Sequence, residues 1–180
     1  VYNSSVKIFV LGEIVMIEPS RVKDAFKEKE NENYAFRSYL KGHADPKKLD
    51  AHFLRLHNEL FKNYDCNKCR NCCIEYATCF EKEEIGPVAE FLGISEMEFK
   101  SDYIEEFQGE YPLKSTPCCF LKSDGSCKIE KCKPSSCRDF PFTNKPGRLF
   151  HMLAILEFAE ICPVVFEIIE RLKIIYKFKR

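Results

Sequence analysis

The sequence has no tryptophan and only seven glycines in 180 residues. That scarcity leaves little room for a glycine-rich phosphate loop, and no Walker or Rossmann glycine pattern is present. A Ser-His-Asp order is also missing. Net charge is absent as well: 28 Lys and Arg face 28 Asp and Glu. A general nucleic-acid binder shows a basic excess, so that class is disfavoured, although a local basic patch stays open. The N-terminal apolar run, Ile8 to Ile17, is too short to span a bilayer. It carries Glu13 and lacks a basic leader and a small-residue cleavage site. The four histidines, His43, His52, His57 and His151, are scattered, and none is expected to ligate metal.

Aromatics other than tryptophan are plentiful: sixteen phenylalanines and eight tyrosines can fill a core. The length suits one domain, with or without an appendage. Cysteine is the conspicuous excess, at eleven. A secreted disulfide scaffold is usually shorter, with an even cysteine count behind a signal peptide. Here the count is odd, and Cys72-Cys73 and Cys118-Cys119 are adjacent pairs. The expectation is a cytoplasmic protein whose reduced thiols hold metal ions, with no membrane partner.

The densest stretch is Cys66-Asn67-Lys68-Cys69-Arg70-Asn71-Cys72-Cys73. Four thiols interleaved with polar residues make no apolar face, so packing does not explain them. A C-x-x-C turn lets two thiolates converge on one ion. A second cluster begins at Pro117-Cys118-Cys119-Phe120-Leu121. Asp124-Gly125 then predicts a tight turn that brings Cys127 back toward Cys118. Cys132 to Phe142 contains Pro134 and Pro141, which predicts an irregular loop wrapped on the metal site.

Helices account for much of the rest. Ser20 can cap a helix carrying Val22, Ala25 and Phe26 inward. The charged run Lys23 to Asn33 reads as a solvated face, with helix resuming over Tyr34 to Lys41. Asp45-Pro46 is a helix start, and Leu49, Phe53, Leu56 and Leu60 form one stripe toward Tyr64. Thr78-x-x-Glu81 and Ser95-x-x-Glu98 read as capping boxes. Pro87 places the start of the first of these helices near Glu83, and Gln108-Gly109 stops the second. Leu149 to Ile161 favours helix by composition. Cys162-Pro163 opens the last helix, with Val165, Ile168, Ile169, Leu172, Ile175 and Tyr176 on one face. On these grounds Cys162 is either a helix-capping thiolate favoured by the dipole or a buried residue ahead of Pro163. Residues 1–19 remain unassigned, and 20–180 reads as one cysteine-cluster domain.

Taken together, these motifs resemble the YkgJ-like cysteine-cluster family, which is described as zinc- or iron-chelating. The resemblance rests on Cys66 to Cys73, Pro117-Cys118 with Phe120-Leu121, Gly125-x-Cys127, Lys133-Pro134, Cys137 to Phe142, and Cys162-Pro163. It covers roughly Pro46 to Arg180. It implies metal ligation by Cys66, Cys69, Cys72, Cys73, Cys118, Cys127, Cys137 and Cys162. Cys79, Cys119 and Cys132 fall outside the pattern. The sequence departs from it at Glu130, where the family has Tyr, and at Lys133, where it has Arg.

Eight thiolates suit two four-coordinate sites, or one iron–sulfur cluster plus one zinc. Lys68, Arg70, Lys128, Lys131, Lys133 and Arg138 lie among the ligands and can offset their charge, Arg138 being the favoured neighbour. The expected fold is mainly α, with helices packed around an irregular cysteine-rich metal-binding core and a small β-hairpin. The expected function is zinc or iron binding, structural or redox. The alternative is an enzyme: flagellin lysine N-methylases, similar to this chain only over the cysteine signature, use an iron–sulfur cluster with S-adenosylmethionine.

Overall fold

A computed structural model describes residues 16–179. The apolar run from Ile8 lies outside them except for Met16 and Ile17, which pack against buried helix residues. After a 3-10 turn over Pro19–Arg21 come α1 (Val22–Glu28) and α2 (Glu30–His43). The two abut at Lys29, a single non-helical residue, so the charged run is helical on both sides of it. Lys29 pairs with Glu170, and the nearly buried Lys173 ammonium pairs with Glu32 and Glu170 at 2.6 Å each.

The helix α3 (Pro46–Phe61) begins as its sequence predicts. The Asp45 side chain accepts from the Lys48 amide, and Pro46 occupies the first turn, where no donor is needed. Leu49, Phe53, Leu56 and Leu60 are all buried. Two one-turn helices follow, α4 (Cys66–Cys69) and α5 (Asn71–Glu75).

A second group starts with β1 (Cys79–Phe80), α6 (Lys82–Leu92) and α7 (Glu96–Tyr103). The strand β2 (Tyr111–Pro112) pairs antiparallel with β1, Cys79 opposite Pro112 and Phe80 opposite Tyr111. The Ser95 capping box forms as expected. At α6 the cap is Glu81, reciprocated by Glu84, and not Thr78. Gln108-Gly109 also corrects its reading. Both residues have positive φ, 52° and 83°, and turn the chain between bridged Phe107 and Glu110. Left-handed values at both central positions mark a hairpin turn, so α7 ends earlier, at Tyr103.

The Asp124-Gly125 turn returns the chain so that Leu121 bridges Cys127. Next come the one-turn α8 (Ser135–Arg138), α9 (Met152–Ile161) and α10 (Pro163–Ile175). Pro134 and Pro141 thus flank one turn of helix inside the segment expected to be wholly irregular.

Two apolar cores result. The larger joins α1, α2, α3, α9 and α10 around Phe36, Phe53, Ile155, Leu156 and Ile168. The smaller joins β1, α6, α7 and β2 around Phe80, Ile85, Phe99, Phe120 and Ile129. Among the described residues no helix is long and apolar enough to cross a membrane.

Candidate metal centre

The cysteine segments meet at a cavity of about 140 Å³. Its wall includes Cys66, Cys69, Cys72, Cys73, Cys118, Cys127, Cys137 and Cys162, the same eight that the motifs single out. Cys79, Cys119 and Cys132 are not on that wall, and neither is any histidine. All eleven cysteines are free thiols. The wall also carries apolar and aromatic side chains, with Phe61 and Phe140 beside the larger core and Phe80, Phe120 and Ile129 from the smaller one.

Short backbone devices hold these segments. The Asp65 carboxylate accepts from the Asn67 amide and starts α4. Arg70, with φ 56°, breaks α4 from α5 and secures its guanidinium on Asn67, 2.6 Å to Oδ1 and 3.0 Å to the carbonyl. Asn71 donates to the carbonyls of Pro19 and Ile161, 2.7 and 3.1 Å away. The Cys118 amide donates to the Cys73 carbonyl at 2.8 Å. Thr78 spends its hydroxyl on Cys137 Sγ, 3.3 Å away, which explains why it does not cap α6.

Of the six cations expected near the ligands, two line the cavity, and the favoured Arg138 is not one of them. Arg138 bonds Glu84 and the Lys133 carbonyl and does not line the cavity. Lys68 points to solvent beside Asp65. The cations on the wall are Arg70 and Lys133. Adjacency to a cysteine favoured Arg138 in sequence, but the fold places Glu84 beside it and so draws it off the wall.

The thiols are poised unevenly. A hydrogen bond from Cys72 brings Cys73 down to about 6, helped by the charges of Arg70 and Lys133. Holding that bond pushes Cys72 strongly up, and burial adds to the shift. Burial raises Cys118 to about 11 and Cys162 to about 12, the Val164 and Val165 amides at the start of α10 acting against it. Burial also raises Cys66, Cys127 and Cys137.

These shifts predict the alkaline behaviour of the metal-free protein. A thiol ordinarily ionises near 9, and the folded chain delays this to about 11 at Cys118 and about 12 at Cys162. Above pH 9 the unfolded state therefore binds fewer protons than the folded state, and stability falls as pH rises. The metal-free midpoint in urea should drop between pH 9 and 12 and stay flat, as far as these two thiols are concerned, below 8. Co-titration with a serine variant of Cys118 should reduce the slope.

The donor set fits a thiophilic ion such as zinc or iron. The Tyr64 hydroxyl gives a second sign. It is buried on this wall without a hydrogen-bond partner and faces Cys69, so a thiolate there would supply its acceptor. Among the described residues no three Cys, His, Asp or Glu side chains already converge on an ion-sized point. The fit therefore rests on the donors' chemistry and their common cavity.

The family model for the CxxCxxCC domain, described as a "putative zinc- or iron-chelating domain", matches residues 65–163, more than half the chain. The chain belongs to this family. No curated protein and no solved structure is significantly similar to it.

Proposed function

We propose that this member of a zinc- or iron-chelating family holds its metal through Cys66, Cys69, Cys72, Cys73, Cys118, Cys127, Cys137 and Cys162, and that the metal ties two small cores into one fold. The observation that carries this reading is the single cavity on which thiols from four separate segments stand. Zinc would supply a structural cross-link, and iron, alone or in an iron–sulfur cluster, would add one-electron chemistry. The chain's own residues do the rest. Arg70 and Lys133 offset thiolate charge, the aromatic wall limits water, and Tyr64 stands ready to donate to Cys69.

Elemental analysis and visible absorption of protein purified without oxygen test the proposal. Stoichiometric zinc or iron is expected, with colour if an iron–sulfur cluster is present and none if zinc alone is bound. Reduced protein free of both metals would refute it, and a thermal shift with S-adenosylmethionine would revive the methylase reading.

A further inference from the structure

Cys72 and Cys73 are consecutive residues of α5, so their side chains leave the helix about 100° apart. They touch each other and both lie near Cys137, yet their leading other neighbours differ. Beyond Cys73, the thiol that bears most on Cys72 is Cys162, with Cys137 behind it, and Cys162 in turn feels Cys69 and Cys66. Cys66 and Cys69 are one turn apart on α4 and therefore share a face. The left-handed Arg70 then redirects the chain into α5. Asn71 pins α5 to the carbonyl of Ile161, the residue before Cys162.

The remaining thiols gather on Cys73. The Cys118 amide bonds the Cys73 carbonyl, and the Leu121–Cys127 bridge brings Cys127 back along the same hairpin. The Lys128 amide closes that hairpin on the Phe120 carbonyl at 2.8 Å. Cys137 is steered by Thr78, and the thiols that act most on it are Cys73 and Cys127, although it also bears on Cys72. Those of Cys118, apart from adjacent Cys119, are Cys137 and Cys73.

We infer that the eight thiols form two four-thiolate metal sites that abut at Cys72–Cys73, with Cys66, Cys69, Cys72 and Cys162 in one and Cys73, Cys118, Cys127 and Cys137 in the other. The assignment rests on the metal-binding reading above and adds its stoichiometry and partition. Four sulfurs are what a closed tetrahedral site requires. Each such site with a divalent ion is doubly negative, and the structure supplies compensation to both. Arg70 acts on Cys66 and on Cys73, and Lys133 acts on Cys66, Cys73 and Cys127. The first site also has the N-terminus of the thirteen-residue α10 at Cys162. The first site belongs to the larger core through Cys162, and the second leans on the smaller core through Cys118 and Cys127.

Cadmium-113 NMR and native mass spectrometry of the reduced chain test this division. Wild type should bind two cadmium or zinc ions and show two resonances in the all-sulfur range. Cys69→Ser should lose one resonance and Cys118→Ser the other, each variant keeping one ion. A wild type saturating at one ion, or two variants losing the same resonance, would overturn the partition. If either variant fails to fold by far-UV circular dichroism, cadmium–thiolate absorbance decides on wild type alone. Saturation at two ions, four thiolates each, supports the division, and saturation at one refutes it. A reduced wild type that binds neither ion would refute the metal-binding reading itself, a separate and recognisable failure.

Discussion

Stripping the metal from reduced protein with a strong chelator is expected to lower the thermal midpoint by at least about 10 °C, and to open the smaller core first. The reason is the unequal size of the two cores. Among the described residues, nineteen buried ones make the larger and ten the smaller. The smaller is built from about 50 residues, Phe80 to Ile129, a length at which burial alone leaves a fold marginal. Structural zinc in small domains contributes apparent binding energies of about 10–16 kcal/mol at neutral pH. Losing even about 5 kcal/mol of that from a chain of this size lowers the midpoint by roughly 10–20 °C. Hydrogen exchange would locate the damage. Amides of α6 and α7 should lose protection while those of α3 and α10 keep most of theirs. An unchanged midpoint, with metal removal verified, would mean that the metal does not bridge the cores.

Reading helix starts from sequence succeeded where the cap's partner is local. Asp45 and Ser95 bond amides three residues ahead, so the residues that decide the outcome lie in the same few letters. Thr78 failed for the opposite reason. Its hydroxyl had a competing partner 59 residues away in Cys137, invisible to any local pattern. Glu81, with Glu84 as its reciprocal, took the cap instead. Gln108-Gly109 was legible as a break but not as a hairpin, because its flanking bridges at Phe107–Glu110 and Ile104–Leu113 carry little apolar alternation.

Of the candidate site, Cys66 to Cys73 stood out because thiols among polar residues have no packing explanation, whereas Cys118, Cys127, Cys137 and Cys162 were marked by the family resemblance. Their common cavity needed coordinates. So did the cations: Arg138 sits next to Cys137 in sequence, yet Glu84 draws it away, while Lys133, five residues earlier, reaches the wall. Asn71 gave no sequence signal at all. An asparagine between cysteines is expected to be solvated, and only the fold shows it joining Pro19 and Ile161. An asparagine with two backbone acceptors in view could have been suspected only from the C-x-x-C-x-x-C-C segment's need for an external brace.

Arg148→Met is expected to cost about 2–4 kcal/mol in urea unfolding of the metal-loaded protein and to speed metal exchange. Arg148 is only 6 % exposed, and burial lowers its affinity for a proton while Asp50 opposes that shift. Its guanidinium donates to the carbonyls of Phe142 and Pro146 at 2.6 and 2.8 Å. Asp50 on α3 accepts from the Gly147 and Arg148 amides, both at 2.8 Å. Phe142 itself holds φ 58°, a strained value for a phenylalanine, so the segment depends on these external bonds. Methionine fills the volume but leaves two carbonyls unpaired and a carboxylate without its countercharge. Phe140 and Pro141, just upstream, line the cavity, so slack in this segment admits water and chelator to the thiols. Asp50→Asn keeps the shape, supplies one acceptor where two are needed, and should fall between wild type and Arg148→Met. Equal urea midpoints for all three proteins would show that this clamp does not hold the cavity wall.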